Sequence, residues 1–83
     1  MAYLYYIIKP TSVMYDENII KNFMEIHPDA KMATKLEDCE EVILQKGWTR
    51  SKKAVAEKEL AATLQKKCNE GYIYKDFYKV HLN

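Results

Sequence analysis

Two tyrosine-rich runs, one near each end, set the terms on which this chain folds. The first is Tyr3-Leu4-Tyr5-Tyr6-Ile7-Ile8; the second joins Tyr72-Ile73-Tyr74 to Phe77-Tyr78-Lys79-Val80-His81-Leu82. Together they hold six of the seven tyrosines, and aromatic and β-branched side chains favour extended backbone. Everything between them reads as helical. Two terminal strands around a helical middle can pair and close the chain, but a sheet of two strands is only marginally stable alone. The expectation is an α+β single domain over residues 1–83, ordered β-α-α-α-β, its two-stranded sheet formed by the chain termini and extended by dimerisation.

The first strand spans Tyr3–Lys9 and stops at Pro10, which cannot donate to a ladder. Its faces, Tyr3-Tyr5-Ile7 and Leu4-Tyr6-Ile8, are both apolar, so the spacing predicts cover on both sides. Asp16 is a good N-cap for a helix carrying Ile19, Ile20, Phe23 and Met24, which ends near His27 ahead of Pro28. Thr34-Lys35-Leu36-Glu37 has the form of a capping box opening a second helix, with a stripe of Leu36, Cys39, Val42 and Ile43 and a stop at Gly47. A third and longest helix runs from about Ser51 to Asn69 through Ala56, Leu60, Leu64 and Cys68, with Val55 and Ala61 at its margins and Gly71 beyond it. The closing strand centres on Phe77–Leu82, with Tyr72–Tyr74 either continuing it or bulged away. Antiparallel pairing with the first strand is favoured, and a parallel crossover stays open.

Composition excludes several classes. With 48% hydrophobic and 30% charged residues the chain is globular. Its longest uncharged apolar run, Met1 to Ile8, is too short to span a membrane and lacks the flanks of a signal peptide. Cys39 and Cys68 have no metal-ligand spacing, so free thiols in a reducing cytoplasm are expected. His27 and His81 stand apart from any cysteine or carboxylate at such a spacing. With Gly47 and Gly71 the only glycines, there is no glycine-rich phosphate loop. No catalytic, cofactor or metal residue is assigned, and the chain is read as a non-enzymatic binding protein.

The contact surface is sought in charge. Lys46-Gly47-Trp48-Thr49-Arg50-Ser51-Lys52-Lys53 carries four cations and no acid. Its hydroxyls and amides open a helix, where backbone donors favour phosphate. Trp48 either plugs the core, stacks on a base or wedges against a protein. Lys66 and Lys67, toward the far end of the third helix, either complement its dipole or extend the basic surface along a phosphate backbone. Glu37, Asp38, Glu40 and Glu41 form an acidic counterpart whose first role is to favour a helix start.

The short domain, the twelve lysines against one arginine, and a terminus such as Met1–Lys9 folded directly into a strand resemble the small accessory proteins of T4-like bacteriophages. That resemblance implies a host-takeover or anti-defence protein that binds and disables or redirects a host protein, such as a toxin or nuclease, in the host cytoplasm. Some proteins of that group act while bound to RNA. Two functions are therefore expected. One is an inhibitor or adaptor, as a homodimer, touching its host protein through Lys46, Trp48, Arg50, Lys52, Lys53, Lys66 and Lys67. The alternative is an RNA- or DNA-binding protein using the same lysines on phosphates. No membrane partner is expected.

Overall fold

A computed structural model describes residues 2–71. The predicted closing strand at Phe77–Leu82 and its companion Tyr72–Tyr74 lie outside them. The rest does not form the β-α-α-α-β order. The elements are β1 (Tyr3–Ile8), α1 (Glu17–Ile26), β2 (Ala30–Met32), β3 (Glu41–Leu44), α2 (Lys52–Thr63) and β4 (Lys67–Glu70). Single 3₁₀ turns, Leu36–Asp38 and Trp48–Arg50, precede β3 and α2. The four strands form one all-parallel sheet in the order β2-β1-β3-β4.

This mixed α/β architecture replaces the expected two-stranded terminal sheet. The dimer invoked to enlarge that sheet loses its premise, because β1 already has a strand on each side. What holds from the sequence is that β1 is covered on both faces. Tyr5 and Ile7 join Ile19, Phe23 and Ile43 beneath α1. On the other face Ile8 joins Val42, Leu44, Ala54 and Ala61 beneath α2. Asp16 caps α1 as predicted, its Oδ1 accepting from the Asn18 N–H at 3.0 Å.

The expected second helix is a 3₁₀ turn followed by β3. No side-chain bond caps that turn, so the capping box does not form. Val42 and Ile43 satisfy a helical stripe by spacing, but all four residues of β3 are buried. With α1 packed on one side of the sheet and α2 on the other, β3 hides both of its faces, and a short apolar run of that kind reads like a buried helix segment.

The third helix is shorter than expected and faces the other way. It buries Ala54 and Ala61, while Leu60 and Leu64 are exposed. It closes at Leu64 in a Schellman arrangement: the Gln65 N–H donates to Ala62 O and the Lys66 N–H to Ala61 O, with Gln65 left-handed at φ 56°. Glycine ordinarily occupies that conformation, because a Cβ there crowds the backbone. Gln65→Gly is therefore expected to stabilise the protein by about 0.5–1 kcal/mol, net of the freer unfolded chain. A urea midpoint that falls on this substitution would count against the motif.

Candidate nucleic-acid or phosphate interface

The chain leaves β1 toward α1 on one face of the sheet and leaves β3 toward α2 on the other. β1 and β3 are neighbours. Their carboxyl ends therefore form the point where an open α/β sheet divides, and ligands in such sheets bind in the crevice just beyond it. Here that crevice has a volume of about 720 Å³. Thr11 and Ser12 line it from the β1–α1 loop, and Lys46, Thr49, Arg50 and Ser51 from the β3–α2 connection. Four hydroxyls and two cations thus face one space with no carboxylate in the lining.

Both walls are held by named interactions. Gln45, nearly fully buried, extends the ladder by donating its N–H to Ile8 O at 2.9 Å. Its Oε1 accepts from the Asp16 N–H and its Nε2 donates to Met14 O, each at 2.9 Å. One side chain of the β3 end thereby clamps the loop that follows β1. Gly47 then turns the chain at φ +91°, where a Cβ would be strained although the nearest atom, Pro10 Cγ, leaves room for it. The turn delivers Trp48, half-buried, onto the α2-face core, against which it packs. Ser51 caps α2, its Oγ accepting from the Ala54 N–H at 3.3 Å. No acid stands in the first turn of α2, so its amide dipole adds to the cations there.

A second, smaller hollow of about 60 Å³ shares Thr11 with the first. Tyr6, Lys9, Tyr15, Lys53 and Glu57 are among the residues that line it. The Tyr6 hydroxyl donates to Glu57 Oε2. Burial first, and then that carboxylate, push the phenol well above its ordinary pKa, so it remains a donor. Lys9 Nζ stands 4.7 Å from the centroid of the Tyr15 ring.

The predicted contact residues divide between the two ends of the sheet. Lys46 and Arg50 line the crevice, Lys53 lines the smaller hollow, and Lys52 is exposed beside them in the first turn of α2. Lys66 and Lys67 lie beyond the other end of α2, a helix of 12 residues and hence about 18 Å long. They are also occupied. Lys66 Nζ donates to Glu37 O and Cys39 O, each at 2.8 Å, and Lys67 pairs with Glu41 at 3.7 Å. The continuous basic stripe along one helix is not formed.

Among the residues that sequence reasoning missed, Thr11, Ser12, Lys9 and Tyr15 reach the site only because β1 and β3 pair in parallel. Of the acidic group, Glu41 is buried and the other three are exposed. The Cys39 and Cys68 thiols are free and pushed up by burial. Among the described residues no group of His, Cys, Asp or Glu side chains is gathered to hold a metal. Nor is any described helix long and apolar enough to cross a membrane. Comparison with protein-family models, curated proteins and solved structures gives no match.

Proposed function

We propose that this protein binds a phosphate-bearing ligand in the crevice at the carboxyl ends of β1 and β3. The observation that carries this reading is the lining itself: Lys46, Arg50 and four hydroxyls converge there without an acid. Arginine grips phosphate with a planar fork, lysine supplies a point charge, and hydroxyls complete the donor set. The volume falls within the range of small-molecule sites, roughly 300–1,000 Å³. The backbone that carries the cations is held by the buried Gln45, by Trp48 packed against the core and by the Ser51 cap.

The test is titration of the protein with inorganic tripolyphosphate, followed by NMR or calorimetry. Arg50→Ala is expected to weaken binding about tenfold or more, the loss of a charge-assisted hydrogen bond. Lys46→Glu with Arg50→Glu should abolish it. Both residues are exposed, so the variants should keep the wild-type circular dichroism and melting temperature. Affinity indifferent to both changes would exclude the crevice.

A second reading rests on a different observation. Val13, Met14 and Tyr15 are 44%, 85% and 44% exposed on the loop beside the crevice. An inhibitor or adaptor docking on a host protein would use such a loop as its apolar contact. Capture of a partner from the natural host, unaffected by nuclease treatment and lost with Met14→Asp, would favour that reading.

A further inference from the structure

Tyr15 is an exposed aromatic ring on a segment held unusually firmly. The backbone on each side of it is bonded to one buried side chain: Met14 O accepts from Gln45 Nε2, and the Asp16 N–H donates to Gln45 Oε1. The clamp fixes the backbone on both sides of Tyr15 while 44% of the residue stays open to solvent. Lys9 Nζ lies over one face of the ring, 4.7 Å from its centroid, and the exposed remainder can take a stacking partner.

We infer that the ligand is a nucleoside phosphate, its phosphates in the crevice and its base against Tyr15. This rests on the phosphate reading above and adds the organic part of the ligand. Thr11 borders both hollows, so the phosphate site and the ring site adjoin. The smaller hollow, about 60 Å³, has room for only a few waters. A base therefore lies on the exposed part of the Tyr15 ring, not inside a cavity. Lys9 Nζ over that ring and Lys53 in the same lining place two further cations beside it. Across both hollows four cations, Lys9, Lys46, Arg50 and Lys53, stand against one carboxylate, Glu57, in a chain whose net charge is only +1. The field is thus concentrated where the ligand's charge would sit.

Glu57 completes the set. An ionised carboxylate has about four acceptor positions, and the Tyr6 hydroxyl occupies one. The remaining capacity suits a ribose hydroxyl or an exocyclic base amine. A bare polyphosphate would use neither Tyr15 nor Glu57.

The same unit, a base joined to a phosphate, occurs as a free nucleotide and as a residue of a nucleic-acid strand. The experiment compares four probes on the full chain: tripolyphosphate, ATP, CTP and an eight-nucleotide RNA. Stacking on an aromatic side chain is sequence-tolerant and is worth about a 5- to 150-fold gain per base. ATP and CTP are therefore expected to bind at least about fivefold more tightly than tripolyphosphate. Tyr15→Leu should bring them within about twofold of it, and Tyr15→Trp should restore the gain. RNA bound more tightly than either nucleotide, with a steep salt slope and the same loss in Tyr15→Leu, assigns the unit to a strand. Nucleotides and tripolyphosphate bound equally, with Arg50→Ala weakening both, would overturn the base-stacking proposal and leave the phosphate site standing. No binding of any probe would remove both.

Discussion

Glu41→Ala is expected to lower the unfolding free energy by about 3–5 kcal/mol, the penalty for stripping one partner from a buried charged network. Glu41 is completely buried at the start of the central strand β3. The Tyr3 hydroxyl donates to its Oε1 and Asn69 Nδ2 to its Oε2, each at 2.9 Å, while the Lys67 ammonium approaches at 3.7 Å. One carboxylate therefore joins β1, β3 and β4. Its influence is visible in Tyr3, whose phenol is pushed up to about 12, first by burial and then by this bond. Alanine leaves two donors without that acceptor and opens a void beneath them. A domain of this length is stable by only about 4–12 kcal/mol, so the variant sits near the limit of folding. Glu41→Gln keeps the shape and one accepting oxygen and is expected to lose about 1–2 kcal/mol. Urea unfolding measures both, and an alanine variant within 1 kcal/mol of the wild type would show that the carboxylate does not hold these strands.

Phe23→Ala is expected to cost a similar amount, about 3–5 kcal/mol, for an apolar reason. Phe23 is fully buried at the centre of the α1 face. Its ring lies 4.9 Å from Tyr5, 4.9 Å from His27 and 6.1 Å from Tyr3, centroid to centroid. Tyr3 and His27 in turn stack at 4.3 Å. These four rings fill the space between α1 and the sheet, and removing the central one leaves a cavity its rigid neighbours cannot collapse into. The opposite face contrasts with it: α2 contributes two buried alanines. Phe23→Leu, which keeps most of the volume, should cost less than about 1.5 kcal/mol. If alanine and leucine at this position unfold at the same urea concentration, the ring cluster is not the stabilising centre.

The parts of the fold legible in the sequence are those whose structure is decided locally. β1 announces itself by six consecutive apolar residues before a proline, and α1 by Asp16 and the spacing of Ile19 and Phe23. β3 was hidden because Leu36, Cys39, Val42 and Ile43 fit a helical stripe as well as a strand with two buried faces. β4 was hidden more deeply. Lys67-Cys68-Asn69-Glu70 has no strand pattern, and only its pairing with β3 makes it extended. The candidate site follows the same division. Lys46 and Arg50 could be found because they share one short basic stretch. Thr11, Tyr15 and Lys9 are remote from that stretch in sequence, and no local pattern ties them to it.

The all-parallel pairing also governs how the molecule can assemble. No two paired strand residues among those described are close in the chain: Glu41 meets Lys67, Tyr3 meets Ala30 and Tyr5 meets Glu41, separations of 26 residues or more. Among the described residues there is no hairpin to form early, and each of these strand contacts must first close a long loop. Folding is therefore slower than in a helical domain of equal size. As the chain is synthesised, β1 emerges before β2 and β3 and waits for them to cover its two edges. Until then, its six apolar residues are open to mispairing.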